Sequence, residues 1–114
     1  MTHKDHTRAD FEAALARTGG GPTKLCLYVA GMGPRSTQAI ADVQRLCADY
    51  GEHCDVEIID IYQQPAAAAQ AQVVAVPTLA RERPLPRRRI IGTIGNVGQV
   101  ARSLDLRPNA AKLA

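Results

Sequence analysis

The 114-residue sequence has no tryptophan, one phenylalanine and three tyrosines, so aromatic residues make up only 4% of it. A dense core must therefore consist of valine, isoleucine, leucine and alanine, and the apolar content of 46% is sufficient for this. The length suits one compact domain. No apolar run approaches the roughly 18 residues needed to span a bilayer, and residues 1–22 lack the apolar segment of a secretion signal. These absences predict a soluble, cytoplasmic protein without a membrane partner.

Cysteine is scarce as well. Cys26, Cys47 and Cys54 are the three cysteines, and no two of them have the CxxC spacing. An odd count without a secretion signal fits a reducing compartment better than a disulfide scaffold. Each cysteine lies in or beside a predicted buried element, so we expect small apolar core residues rather than reactive thiols.

Motifs for metal binding, cofactor binding and catalysis are also missing. His3 and His6 have helical spacing, but no further ligand is near them, so two solvated histidines are expected. The glycines of GMGPRS, residues 31–36, lack the lysine and the spacing of a phosphate-binding loop. Because His53 is the only histidine beyond the N-terminal segment, a Ser/His/Asp hydrolytic set has no support. The sequence predicts no metal, no cofactor and no catalytic residue.

Two apolar runs of strand length dominate the first half of the chain. LCLYVAG, residues 25–31, is typical of a strand buried on both faces, and VEIIDI, residues 56–61, is a second β-branched run. Between them, Pro34 is well placed to begin a helix. Apolar residues then recur at intervals of three and four as far as Tyr50, and Gly51 is a natural helix end.

The second half predicts shorter elements: a helix over 66–72, strands over 77–80 and 89–92, and a closing helix over 97–104. The last two strands are close in sequence and therefore predict a hairpin, whereas a βαβ unit requires a right-handed crossover and a parallel pair. The order β-α-β-α-β-β-α predicts a thioredoxin-like α/β domain, with helices on both faces of a mixed sheet.

The domain boundaries follow from composition. Residues 1–22 end in a glycine-rich stretch and predict a mobile tail, residues 23–107 form the predicted domain, and residues 108–114 form a C-terminal tail. The polar segment 105–114 is expected to fray.

The basic character of the chain is local. Its net charge is +3, and RERPLPRRRIIG, residues 81–92, contains five arginines against the single acid Glu82. We interpret this stretch as the exposed tip of the hairpin. Five arginines would make phosphate binding salt-sensitive, but nucleic-acid modules usually add exposed aromatics. Nucleic acid is not the expected partner, because the tyrosines lie in predicted core elements: Tyr28, Tyr50 and Tyr62.

Five segments resemble the KaiB family. They are LYVAG (27–31), IIDI (58–61) with the helix that begins at Pro65, VPTLA (76–80), PLPRRRIIG (84–92) and SLDL (103–106). The resemblance runs from about Lys24 to Leu106. PTLARERPLPRRRIIG is more specific than a generic thioredoxin fold would produce.

The resemblance implies a non-enzymatic clock or timer protein. Cyanobacterial members bind the ring-shaped ATPase KaiC, help to sequester KaiA and displace an output sensor kinase. We expect docking on a KaiC-type ATPase through the second half of the domain and the basic hairpin. A KaiB-like signalling or stress-response module that binds a histidine kinase outside any clock is the alternative, and a redox enzyme would need a reactive thiol. The expected partner-binding residues are Arg81, Arg83, Arg87, Arg88 and Arg89.

The resemblance also implies two folds. One is a ground-state tetramer with a rearranged C-terminal half, and the other is a thioredoxin-like monomer that binds KaiC; the segment that changes is here about 63–106. Residues 66–75 favour a helix but end in β-branched Val73 and Val74, so two packings within a few kcal/mol of each other are physically reasonable. The same mixed preferences are explained equally well by a single fold, in which tertiary contacts determine the structure of a segment whose local pattern is weak. Whether the protein is a monomer, or a homo-oligomer such as a dimer or a tetramer, stays open.

Several positions depart from the family pattern or have an expected structural role. Cys26 and Glu57 occupy positions where cyanobacterial members have lysine, and Ser103 replaces a glycine near the end of the last helix. Serine favours a helix over glycine by about 0.5 kcal/mol.

Three further residues are expected to act structurally. Two of them are expected in turns, and the third resembles the cis-proline that precedes the third strand in thioredoxin folds: Gly31, Gly92 and Pro77.

Overall fold

The computed structural model describes residues 23–51 and 54–109. The predicted order of elements is confirmed, although their bounds shift. The predictions for residues 1–22, for His53 and for residues 110–114 lie outside the described ranges. The elements are β1 (Lys24–Val29), α1 (Pro34–Asp49), β2 (Asp55–Asp60), α2 (Pro65–Gln70), β3 (Thr78–Arg83), β4 (Arg88–Ile91) and α3 (Val97–Ser103).

The four strands form one mixed sheet in the order β2-β1-β3-β4. β1 runs parallel to β2 and antiparallel to β3, and β3 pairs with β4 as an antiparallel hairpin. α1 provides the long crossover that a parallel pair needs. The predicted mixed sheet is therefore confirmed.

Both faces of β1 are buried, which explains why its sequence lacks polar alternation. Leu25, Leu27 and Val29 point to the face covered by α1 and α3. Because successive side chains of a strand point to opposite faces, Cys26 and Tyr28 lie on the other face, near α2. The main core is the α1/α3 side, built on aliphatic residues as the composition predicts: Leu25, Leu27, Val29, Val43, Leu46, Leu79, Ile94, Val100 and Leu104.

α1 begins where the sequence predicts it. Pro34 is its first residue, and the Thr37 N–H donates to Gly33 O at 3.0 Å. The helix ends before Tyr50, and Gly51 then takes a φ of +66°, in the left-handed region that favours glycine. Proline at the start and glycine just past the end thus determine the length of this helix.

The segment after α3 packs against the end of α1. The prediction that residues 105–114 fray is wrong for residues 106–109. Leu106 is buried, Pro108 forms an isolated β-bridge with Tyr50, and the Gly51 N–H donates to Arg107 O at 2.9 Å. We call residues 106–109 the C-terminal strap.

Cys47 and Cys54 form a disulfide, with their Cα atoms 5.7 Å apart. The prediction that they are separate small core residues is therefore wrong, although both half-buried side chains do pack on the main core. The crossover from α1 to β2 brings the two positions together, a contact that sequence spacing does not reveal. Cys26 is free and buried, as predicted.

Candidate partner-binding surface

The hairpin β3–β4 carries the five arginines, but they do not all lie at its tip. Arg81 and Arg83 belong to β3, and Arg88 and Arg89 belong to β4. The loop between these strands contains only Arg87 of the five. The interpretation of the whole stretch as a hairpin tip is therefore wrong, and each arginine has its own surroundings.

Arg81 is 2% exposed, so the expectation of an exposed binding residue is wrong at this position. It shares a strand face with Leu79, in the main core. Its Nη1 donates to Leu104 O at 2.8 Å and its Nη2 to Pro86 O at 2.6 Å. Burial, with the nearby charge of Arg88, lowers the pKa of the guanidinium, which remains charged at neutral pH. Arg81 thus joins β3 to the end of α3.

Arg83, Arg87 and Arg89 line a groove of about 730 Å³ on the α2 side of the sheet. We call it the α2 groove. Cys26 and Tyr28 of β1 lie at its floor, and the groove is bounded by α2 on one side and the hairpin on the other. Its charged lining residues are Lys24, Glu57, Glu82, Arg83, Arg87 and Arg89.

Basic side chains outnumber acidic ones around the α2 groove, four to two. The Lys24 Nζ lies 3.6 Å from Glu57 Oε1, and the Arg87 Nε lies 3.1 Å from Glu82 Oε1. Each pair joins one exposed side chain to a half-buried one, so water and salt screen the two charges and weaken their attraction. The groove therefore retains a positive potential and suits carboxylate side chains of a partner.

Arg89 also supports the wall of the groove. Its Nη2 donates to Ala71 O at 2.6 Å and its Nη1 to Gln72 O at 3.2 Å. These carbonyls follow α2, where helix ends leave acceptors without intrahelical partners. A substitution of Arg89 would therefore disturb α2 as well as remove a charge.

The surroundings of Cys26 at the floor disfavour the thiolate, which is the nucleophilic form of a cysteine. Its side chain is buried, and burial together with Glu82 and Glu57 raises the pKa of the thiol to about 11. A reactive cysteine needs the opposite environment, one that stabilises the thiolate. Lys24 is not among the predicted site residues, yet the period-two series Lys24, Cys26, Tyr28 places it on this face.

Arg88 lies apart from the α2 groove. It pairs in register with Arg81 and is exposed. It therefore projects on the α3 side of the sheet, whereas Arg89 projects on the α2 side. The structure thus brings together Arg83, Arg87 and Arg89 and separates them from Arg81 and Arg88.

Tyr62 departs from its predicted core position, since it is 74% exposed. It follows β2 near the Val29 end of β1, whereas Arg83 pairs at the opposite end, with Lys24. The exposed ring and the arginine-lined groove are therefore at opposite ends of the sheet, an arrangement unlike the interleaved aromatics and charges of a nucleic-acid surface.

The three residues expected to act structurally lie in chain reversals beside the sheet. Gly31 has a φ of +69° and donates its N–H to Asp60 Oδ1 at 3.0 Å. The Val76–Pro77 peptide bond is cis. Gly92, with a φ of +105°, donates its N–H to Pro77 O at 2.9 Å.

No group of three or more His, Cys, Asp or Glu residues able to hold a metal occurs within the two described ranges. In the same ranges, no helix has the length and the apolar character needed to cross a membrane.

The family model of the KaiB domain matches residues 26–106. The chain is 40% identical over 90 residues to circadian clock protein KaiB3 of Synechocystis sp., covering 78% of this chain and 88% of the relative. It is 36% identical over 83 residues to circadian clock oscillator protein KaiB of Synechococcus elongatus, covering 72% of this chain and 81% of the relative.

Solved structures with the same fold are thioredoxin-like. Oxidised thioredoxin O2 of Arabidopsis thaliana superposes with a TM-score of 0.62 at 19% identity, covering 86% of this chain and 87% of that one. The N-terminal domain of Synechococcus elongatus SasA superposes with a TM-score of 0.59 at 22% identity, covering 75% of this chain and 81% of that one. These likenesses confirm the predicted thioredoxin-like fold.

Proposed function

The chain belongs to the KaiB family, and we propose that it is a non-enzymatic clock or timer protein that binds a KaiC-type ATPase and modulates its phosphorylation or output signalling. The clock names of the relatives support the first part of this proposal. The positive α2 groove supports the second, because it is a recess whose rim suits acidic side chains. We take the thioredoxin-like form as the binding form.

The arginines contribute unequally to the proposed interface. Arg87 is highly accessible, with 74% of its side chain exposed, and its ion-pair partner Glu82 is 26% exposed. A carboxylate of the ATPase would compete with Glu82 for this guanidinium. Arg83 lies on the same groove and Arg89 positions its wall. Arg81 serves the interface only by stabilising the hairpin.

A first experiment tests the partner. Tagged full-length protein is used to recover proteins from the host lysate with ATP and, separately, with ADP, and the recovered proteins are identified by mass spectrometry. Recovery of a hexameric KaiC-type ATPase in one nucleotide state is the expected result. If no such ATPase is recovered in either nucleotide, the proposed partner is wrong.

A second experiment tests the surface. Binding of the purified ATPase is measured by biolayer interferometry at low and high salt. The double variant Arg83→Ala/Arg87→Ala should bind about tenfold more weakly, with a smaller salt dependence, because rim charges act mainly on association. Glu82→Gln should bind more tightly, since it releases Arg87 from its ion pair.

The matched control is Arg102→Ala. Arg102 is an exposed arginine of α3, on the other side of the sheet from the α2 groove. Arg102→Ala removes one charge outside the groove, and Arg87→Ala removes one charge within it, so these two single variants have the same net charge. The affinity of Arg102→Ala should match that of the wild type, whereas Arg87→Ala should bind more weakly. Equal weakening by Arg102→Ala and by the groove variants would show that only net charge matters and would refute the proposed surface.

A histidine kinase outside any clock is the second candidate partner. The shared fold with the N-terminal domain of SasA favours it only at the level of architecture. Recovery of a sensor kinase without a KaiC-type ATPase in the lysate experiment would select this alternative.

A further inference from the structure

The disulfide and the C-terminal strap meet at the end of α1. Cys47 lies in the last turn of α1, and Cys54 immediately precedes β2. The strap docks on the same turn. This contact plays no part in the α2 groove, which lies on the opposite side of the sheet.

The strap supplies hydrogen-bond donors to the carbonyls at the end of α1. The Asn109 N–H donates to Asp49 O at 2.7 Å, and its Nδ2 donates to Ala48 O at 3.1 Å and to Cys47 O at 3.3 Å. The last carbonyls of a helix have no intrahelical partner. Asn109 therefore acts as an external cap, and one of the carbonyls that it caps belongs to a disulfide cysteine.

The other end of the strap is bound to the connection that the disulfide closes. The Gly51 N–H donates to Arg107 O at 2.9 Å, and Pro108 bridges to Tyr50. Both Tyr50 and Gly51 lie between Cys47 and Cys54 in the sequence. A covalent bond across this connection restricts the backbone to which the strap is hydrogen-bonded, whereas reduction restores its conformational freedom.

We propose that Cys47 and Cys54 form a reversible redox site whose oxidised state holds the C-terminal strap on the end of α1. The reductant is a low-molecular-weight thiol, RSH. A thiolate RS⁻ attacks one cysteine sulfur, which breaks the Cys47–Cys54 bond, forms a mixed disulfide and releases the other cysteine as a thiolate. A second RS⁻ attacks the sulfur that carries R in this mixed disulfide. The remaining cysteine leaves as a thiolate, and RSSR is formed. Two electrons pass to the protein, and each cysteine thiolate takes up one proton.

The first measurement tests the redox site in full-length protein equilibrated with glutathione at different ratios of its reduced and oxidised forms. The thiols are trapped by acid, alkylated and counted by mass spectrometry. The control variant Cys26→Ser lacks the buried free thiol. As the glutathione becomes more oxidised, this variant should lose its two remaining thiols, those of Cys47 and Cys54, together in a single two-electron step. Cys47→Ser should form no intramolecular disulfide. Two alkylated cysteines in Cys26→Ser, even in fully oxidised glutathione, would overturn the proposal.

The second measurement tests the coupling to the strap by amide hydrogen exchange. In the reduced protein, exchange at Gly51 and Asn109 should be faster by about tenfold or more, because opening of the strap becomes easier. Exchange at Leu27 in the central strand should stay unchanged. The double variant Cys47→Ser/Cys54→Ser should behave like the reduced protein. Should it fail to fold, wild-type protein kept in dithiothreitol provides the same comparison. Equal exchange at Gly51 and Asn109 in both redox states would refute the coupling.

Discussion

The guanidinium of Arg81 donates to the main-chain oxygen of Leu104 at 2.8 Å, so the second half of the sheet is joined directly to the end of the last helix. Arg81 Nη2 also donates to Pro86 O in the hairpin loop, whereas its Nε has no hydrogen-bond partner among the described residues. One buried cation thus holds three parts of the C-terminal half together.

Arg81→Met should lower the free energy of unfolding by about 2–4 kcal/mol, because it leaves the buried acceptor of Leu104 without a donor and also removes the part-buried hydrogen bond to Pro86 O. Methionine keeps most of the apolar stem, so the loss reports the hydrogen bonds. Urea denaturation followed by circular dichroism measures it. Arg88→Met, at the exposed position opposite Arg81 in the hairpin, should change stability by no more than about 0.5 kcal/mol. A similar effect of both substitutions would contradict the structural role of Arg81.

Asp60 should make stability depend on pH in the acidic range. Its Oδ1 accepts the Gly31 N–H at 3.0 Å and the Tyr62 N–H at 2.9 Å, and these hydrogen bonds lower the pKa of the carboxyl below its ordinary value of 3.8. A lowered folded-state pKa stabilises the protein above the unfolded pKa, and this stability is lost as the pH falls through the folded pKa.

Asp60→Asn should therefore lower the Tm at pH 7, and the difference from the wild type should shrink as the pH falls below about 4. Differential scanning fluorimetry across this range measures both. Asp55→Asn, at the exposed start of β2, is the matched control and should leave the Tm at pH 7 nearly unchanged. A Tm difference at Asp60 that is constant with pH would argue against the charged carboxylate as the cause.

Any side chain at Gly92 should lower the stability of the fold. Its φ of +105° is unfavourable for L-residues, although a Cβ added there would meet no atom within 4 Å beyond the adjacent residues. Gly92→Ala should therefore destabilise the protein by about 1–2 kcal/mol through backbone strain alone. Gly95→Ala, where φ is not positive and a Cβ would make ordinary contact with Thr93 at 3.8 Å, should stay within about 0.5 kcal/mol of the wild type. Chemical denaturation distinguishes the two, and equal costs would contradict the strain at φ as the cause.

The resemblance to the KaiB family implies a second, rearranged form, and we propose that Ser103 favours the thioredoxin-like form over it. It is the last residue of α3 and is exposed, so its effect is mainly that of helix propensity. Ser103→Gly should destabilise this form by about 0.5 kcal/mol and so raise the ratio of a rearranged form to it about twofold. The ratio of NMR signals from α3 residues in the two forms measures this. A matched substitution at the same exposed site, Ser103→Ala, should shift the ratio the other way; a rise with both variants would contradict helix propensity as the cause.

Local sequence patterns determined most of the architecture. The apolar run in β1, the stripe of α1 between Pro34 and Gly51, and the short spacing of β3 and β4 predict the order of elements and the mixed sheet. They do so because hydrophobic periodicity, proline at a helix start and glycine after a helix end act within one or two turns of chain. The family segments between residues 24 and 106 added the identity.

The tertiary structure alone decided which side chains share a face and which segments meet. Five arginines look equivalent in the sequence, yet the pleat of the hairpin buries Arg81, leaves Arg88 exposed on the same side of the sheet and directs Arg89 toward α2 on the other side. The Cys47–Cys54 pair and the docking of residues 106–109 depend on the crossover that returns the chain from α1 to β2. Such contacts join residues that are distant in sequence or unmarked by spacing, so only the folded arrangement of the sheet and helices specifies them.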